Sequence, residues 1–93
     1  MSQTLLLIED EQAFADILVV RLSRQGYHCQ HADTIAKGLR LALELRPQYV
    51  VVDMKIGNDN SLPHIAELRA LLPSATIILL TGYASIATAV EAI

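Results

Sequence analysis

Apolar and polar positions along the chain follow two alternating periods, and this alternation predicts short strands separated by helices. Uninterrupted apolar runs at 4–8 (TLLLI), 49–53 (YVVVD) and 75–81 (ATIILLT) are typical of strands that are buried on both faces of a parallel sheet. The more polar segment 27–32 (YHCQHA) indicates a weaker strand at the edge of the same sheet.

Between these runs, apolar residues recur at helical spacing. A first helix is predicted over 11–25, with inward-facing positions at Phe14, Ile17, Leu18 and Leu22. A second helix is predicted to start at a side-chain cap from Asp33 or Thr34 and to run to Leu45. Its inward-facing positions are predicted to be Ala36, Leu39 and Leu43.

A third helix is predicted over about 62–72, capped by Ser61 or its neighbours, and a fourth over 86–93 after a cap at Ser85. The order is therefore strand and helix, repeated four times. Because strands joined through helices run parallel, we predict an α/β, doubly wound parallel sheet with helices on both faces.

Length and composition bound the classes of function. The chain has 93 residues, of which 53% are apolar, which suits one small domain with a single core. The net charge of −3 offers no basic surface for nucleic acid or an anionic membrane. One cysteine cannot build a disulfide framework, which favours a cytoplasmic setting. The apolar runs are too short to span a membrane, and the amino-terminal segment has no features of a signal peptide.

Polar side chains follow three of the predicted strands. Glu9, Asp10 and Glu11 follow the first, Asp53 ends the third, and Thr81 ends the fourth. Because the carboxyl ends of parallel strands meet at one edge, we expect these side chains to converge there. An all-oxygen site suits a hard cation such as Mg²⁺. An aspartate in such a site can attack phosphorus and form an aspartyl phosphate, to which a threonine hydroxyl can donate a hydrogen bond.

Three segments carry a resemblance to a known family: LLLIEDE at 5–11, VVVDMKIG at 50–57 and IILLTGYASIATAV at 77–90. With these motifs in order, the whole chain resembles the receiver domain of two-component response regulators. The last two look most like the RegA/ActR/PrrA type of redox-responsive transcriptional regulators. The resemblance implies a flavodoxin-like (CheY-like) fold with strand order 2-1-3-4.

The resemblance also implies roles for individual residues. Asp53 would be the phosphoacceptor, and its phosphoryl donor would be a sensor histidine kinase. Mg²⁺ would be held by Glu9, Asp10, Asp53 and the backbone carbonyl of Lys55, and Thr81 would supply the switch hydroxyl. Glu9 departs from the family pattern, in which aspartate is more usual. Such a domain is regulatory and not an enzyme, beyond self-catalysed phosphorylation and dephosphorylation.

Family receivers also contain a fifth strand with a lysine and an aromatic switch residue, and a fifth helix. These are not found in the 93 residues, so we expect an incomplete receiver domain over 1–93 without an output domain. Phosphorylation is then expected to be impaired, and DNA to be contacted only through an absent carboxyl-terminal domain. An uncovered fourth strand predicts self-association, by edge pairing or by exchange of an element between protomers.

Three alternatives stay open on the sequence. The chain could be a dimerising structural fragment without phosphotransfer of its own. It could be a phosphatase of the dehalogenase type, although that chemistry needs a second carboxylate where Lys55 stands. A flavodoxin-like nucleotide binder fits the fold alone, but the loop after the first strand carries three acids and no glycine.

Several other polar residues have simple structural interpretations. His28, His31 and His64 share no metal-binding spacing and are predicted to lie on the surface. Cys29 is predicted to be a small filler in the weak strand. Glu11 is interpreted as a solvated acid in the first turn of a helix, where the helix dipole favours it.

Overall fold

The computed structural model describes residues 3–56 and 59–80. Thr81, Gly82 and the predicted fourth helix lie outside the described residues. The elements, in chain order, are β1 (Gln3–Ile8), α1 (Gln12–Arg24), β2 (Tyr27–Ala32), α2 (Ile35–Leu45), β3 (Tyr49–Asp53), β4 (Lys55–Ile56), β5 (Asp59–Asn60), α3 (Leu62–Leu71) and β6 (Thr76–Leu80).

The four longer strands form one parallel sheet in the order β2-β1-β3-β6. Since β6 is the predicted fourth strand, this confirms the predicted order 2-1-3-4 and the α/β class. β4 and β5 form a separate antiparallel pair of two residues each. β5 lies within the segment 57–61, for which the sequence predicts a loop.

The sheet is covered on both faces, which explains why its central strands are apolar at consecutive positions. Alternate residues of β1 face opposite sides, so Leu5 and Leu7 enter one core while Leu6 and Ile8 enter the other. The first core lies under α1 and contains Leu5, Leu7, Ala15, Leu18, Leu22, Val51, Ile78 and Leu80. The second lies under α2 and α3 and contains Leu6, Ile8, Ala32, Ile35, Ala42, Val50, Val52, Ile56, Leu68, Leu72 and Ala75.

Helix α1 buries Ala15, Leu18 and Leu22, while Phe14 is partly buried against the same core. The prediction that Ile17 faces inward is wrong, because its side chain is 54% exposed. The buried face of α1 runs through Ala15, Leu18 and Leu22, and Ile17 lies outside it.

Helix α2 is rotated by about one residue from its predicted orientation. Ile35, Gly38 and Ala42 are buried, whereas the predicted inward residues Ala36 and Leu43 are exposed and Leu39 is only partly buried. The physical reason is close packing: the small residues at 38 and 42 let the helix approach the sheet, which larger side chains would prevent.

The start of α2 resolves a choice that the sequence leaves open. The Thr34 hydroxyl oxygen accepts a hydrogen bond from the Lys37 backbone N–H at 3.1 Å, so Thr34 is the cap. Asp33 instead forms an ion pair with the Lys37 ammonium at 3.0 Å, which holds the pKa of that carboxyl below its usual range.

Two arginines stabilise the edge of the sheet at which β3 and β6 begin. Arg46 ends α2 in the left-handed conformation (φ 48°), and its guanidinium donates to the Leu71 carbonyl at 2.9 Å. Arg69 donates to the Ala75 carbonyl at 2.6 Å, immediately before β6. Carbonyls at the carboxyl end of α3 thus find positively charged donors, which the helix dipole favours.

Replacing Gly38 by alanine should destabilise the fold, although alanine normally favours a helix. A Cβ at this position would lie 2.8 Å from Ile8 Cγ1 and still closer to Cδ1. Overpacking of this kind costs ~1–3 kcal/mol, against a helix-propensity gain of up to ~1 kcal/mol. We therefore expect Gly38→Ala to lower the free energy of unfolding by about 1–2 kcal/mol in urea denaturation.

The double variant Ile8→Val/Gly38→Ala is the control, because valine lacks the nearest atom. Its loss of stability should be smaller than the sum of the two single losses. A higher melting temperature for Gly38→Ala alone would contradict the proposed contact.

Candidate metal centre

Three carboxylates meet beyond the carboxyl ends of β1 and β3. Glu9 and Asp10 follow directly after β1, and Asp53 is the last residue of β3. The two strands pair in register with Ile8 opposite Val52, so the next residues of both strands are neighbours. One oxygen from each of the three carboxylates lies within 4.8 Å of the others. The structure therefore brings together three of the predicted site residues.

Glu9 is the unusual member of this cluster, because its side chain is only 2% exposed. Its Oε1 accepts a hydrogen bond from the Glu11 backbone N–H at 3.1 Å. Its Oε2 is buried and accepts no hydrogen bond from a donor among the described residues. Burial raises the pKa of Glu9 from 4.5 to about 8, and a hydrogen bond with the Asp53 side chain and the negative charges of Asp53 and Asp10 act in the same direction.

The cluster fits a small divalent cation. Asp10 is exposed and Asp53 is half-buried, so an ion has access from solvent while Glu9 provides a buried oxygen. Opposite ligands of Mg²⁺ lie about 4.2 Å apart and those of Ca²⁺ about 5 Å apart, a span that matches the separation of the carboxylates. A cation would also reduce the repulsion between the three acids, and it would be coordinated by the buried Oε2 of Glu9.

Ser61 makes a contact with this site that the sequence does not indicate. It stands before α3, as predicted, but its side chain does not cap the helix. The hydroxyl donates instead to the Asp53 backbone carbonyl at 2.6 Å. The cap is supplied by Asn60, whose Oδ1 accepts from the Leu62 N–H at 3.0 Å.

His31 also contacts the site, although the sequence predicts only a surface position for it. The ring is half-buried, and Nε2 lies 2.7 Å from the Glu9 carbonyl oxygen, to which it donates. The contact joins the end of β2 to the residue after β1. Nothing in the spacing of His28 and His31 distinguishes the one that turns toward the site.

The other predicted site residues are less informative. Thr81 lies outside the described residues. The backbone of Lys55 lies in β4, two residues after Asp53, and the role of its carbonyl stays a prediction. Glu11 is exposed, which agrees with its interpretation as a solvated acid at the start of α1.

Comparison with known proteins identifies the class to which this fold and site belong. The pattern of the response regulator receiver domain family matches residues 5–93. The chain therefore belongs to the response regulator receiver domain family and is a receiver domain of two-component signalling.

Bacterial regulatory proteins are among its relatives. The photosynthetic apparatus regulatory protein RegA of Rhodobacter capsulatus is 35% identical over 91 residues, which cover 98% of this chain and 50% of that protein. The acid tolerance regulatory protein ActR of Sinorhizobium medicae is 32% identical over 91 residues, covering 98% of this chain and 47% of that protein. The chain thus spans about half the length of these relatives.

Solved structures agree with this membership. A response regulator from Burkholderia pseudomallei, described with a phosphorylated aspartic acid, a calcium ion and citrate, is 43% identical, with a TM-score of 0.83 over 98% of this chain and 54% of that one. The beryllofluoride-activated NtrC4 receiver domain dimer is 27% identical, with a TM-score of 0.79 over 96% of this chain and 74% of that one. Within the described part of the chain, no helix has the length and apolar character needed to cross a membrane.

The raised pKa of Glu9 predicts how stability depends on pH in a metal-free buffer. The unfolded chain releases the Glu9 proton near pH 4.5, whereas the folded chain retains it to about pH 8. The Glu9 contribution is therefore favourable at low pH and is lost as the pH rises between these values. Glu9→Gln should flatten this part of the profile and make the chain more stable than wild type at pH 8.

The measurement is urea denaturation with a chelator present, followed by circular dichroism across this pH range. Glu44→Gln is the matched control, because Glu44 is exposed on α2 and its substitution should leave the profile as in wild type. Parallel profiles for wild type and Glu9→Gln would refute a buried, protonated Glu9.

Proposed function

We propose that this chain accepts a phosphoryl group on the Asp53 carboxylate, with a divalent cation bound by Glu9, Asp10, Asp53 and the Lys55 carbonyl. The observation that carries the proposal is the convergence of three carboxylates, one of them buried, at the ends of β1 and β3. Support also comes from the Burkholderia pseudomallei relative, which is described with a phosphorylated aspartic acid and a calcium ion.

The chemistry is a phosphoryl transfer from nitrogen to oxygen. A carboxylate oxygen of Asp53 attacks phosphorus, the new O–P bond forms, and the P–N bond to the donor imidazole breaks. The leaving imidazole keeps the electron pair and takes up a proton. Bound Mg²⁺ would neutralise negative charge on the phosphoryl oxygens. Asp53 is half-buried, which leaves it accessible to a donor at the rim.

The remaining residues position and recognise the phosphoryl group. Glu9 and Asp10 bind the cation beside the acceptor Asp53. The Thr81 hydroxyl donates a hydrogen bond to a phosphoryl oxygen after transfer. These tasks require no turnover of a separate substrate, so the domain acts as a regulator, with at most self-catalysed phosphorylation and dephosphorylation.

The proposed partners follow from family membership. The phosphoryl donor is a sensor histidine kinase in the cytoplasm. RegA and ActR are named as regulatory proteins and are about twice as long as this chain, so we propose a transcriptional output through DNA binding by a region outside these 93 residues.

Asp53→Asn should abolish labelling of the chain by acetyl phosphate in the presence of Mg²⁺, because an amide is not a nucleophile toward phosphorus. The measurement is the mass of the intact protein, which rises on phosphorylation. Asp16→Asn is the matched control: Asp16 is exposed on α1 and should be dispensable. Undiminished labelling of Asp53→Asn would refute the acceptor assignment.

A second proposal is self-association through β6. Within the described part of the chain, β6 pairs with β3 and forms one edge of the sheet. An apolar edge strand is a template for pairing with another chain. Sedimentation equilibrium should show dimers that increase with concentration. A monomer throughout the concentration series would refute the proposal.

A further inference from the structure

Ser61 is a fully buried polar residue whose hydrogen bonds are directed at the acceptor segment. It is 0% exposed. Its hydroxyl donates to the Asp53 carbonyl at 2.6 Å, and its backbone N–H donates to the Met54 carbonyl at 2.7 Å. Two consecutive carbonyls, beginning at the proposed phosphoacceptor, therefore accept hydrogen bonds from one residue at the start of α3.

The peptide group between Asp53 and Met54 is held from both sides. Its oxygen accepts from the Ser61 hydroxyl, and its N–H donates to the Leu80 carbonyl at the end of β6, at 2.7 Å. This one peptide plane is thereby fixed to α3 and to the neighbouring strand. Because the plane carries the Cα of Asp53, its orientation restricts the directions in which the carboxylate can point.

The hydroxyl is not needed for the helix itself. Asn60 supplies the side-chain cap of α3, and Ser61 has helical backbone angles (φ −75°, ψ −15°) that a residue without a hydroxyl also adopts. The Ser61 hydroxyl thus has one described partner, the carbonyl of the residue that bears the proposed reactive group.

We infer that Ser61 is a positioning residue for phosphoryl acceptance, and that its hydroxyl aligns Asp53 with Glu9 and Asp10. The inference rests on the proposed function. It extends to the metal, because the Lys55 carbonyl belongs to the next peptide group beyond the two that Ser61 holds. Loss of a hydrogen-bonding partner behind a metal ligand typically lowers affinity or activity by about 10- to 100-fold.

The test compares Ser61→Ala with Asn60→Ala in the 93-residue chain. Ser61→Ala removes the hydroxyl and keeps the backbone N–H, and it should weaken Mg²⁺ binding and slow labelling by acetyl phosphate by about tenfold each. Asn60→Ala removes the cap of the same helix, so it should lower stability while both values stay near wild type. Mg²⁺ affinity is read from the amide shift of Asp53 in an NMR titration.

A readout without metal tests the alignment directly. In the metal-free chain, the Met54 amide should exchange with solvent faster in Ser61→Ala than in Asn60→Ala at equal global stability. Ser61→Cys replaces the hydroxyl with a thiol, which has a similar size but is a weak hydrogen-bond donor. This variant replaces Ser61→Ala in the experiment if Ser61→Ala does not fold. It should show the same accelerated exchange.

The outcomes separate the two proposals. The proposed function stands if wild type is labelled and Asp53→Asn is not labelled. If the folded Ser61 variants then match wild type in Mg²⁺ affinity, labelling and Met54 exchange, the positioning role is refuted. If wild type neither binds Mg²⁺ nor is labelled, the proposed function fails and the inference fails with it.

Discussion

The parallel pairing of β1 with β3 is the constraint on which the rest of this molecule depends. The register that places Ile8 beside Val52 makes Glu9 and Asp53 neighbours one step further on. A slip of one residue would move Asp53 by about 3.3 Å and turn its side chain to the other face of the sheet. Both faces of these strands are buried, so each alternate side chain must fit its own core. The same apolar packing that stabilises the fold therefore also sets the spacing of the acids.

Gathering carboxylates at one rim is electrostatically unfavourable, and the structure shows where that cost is located. Asp10 retains contact with water, whereas Glu9 is buried and holds a proton more tightly than an ordinary glutamate. A cation that binds to Glu9 must displace this proton, so ion binding and proton release are linked. Glutamate in place of the aspartate that is more usual in this family lengthens the side chain by one methylene and keeps the carboxylate within the cluster.

The central strands and the convergence of acids were predictable from strong local patterns, whereas the strand order came from the family resemblance. Runs buried on both faces indicate central strands, and a parallel topology sends their carboxyl ends to one edge. The orientation of α1 and α2 was not predictable in detail: Ile17 and Leu43 are apolar but exposed, because Gly38 and other small residues make the closest contacts with the sheet. The contact of His31 with Glu9 and the contact of Ser61 with Asp53 each join two different elements, so periodicity carries no sign of them.

The position of Arg46 and Arg69 gives the molecule a polarity that its net charge does not reveal. Both guanidinium groups lie where β3 and β6 begin, whereas the acids lie where β1 and β3 end, about 16 Å away along a five-residue strand. These two groups of residues therefore contribute to a separation of charge along the strand direction. With a screening length of about 8 Å at physiological salt, this field acts only over the last nanometre of an encounter. There it favours the approach of cations to the acidic end and disfavours the approach of anions.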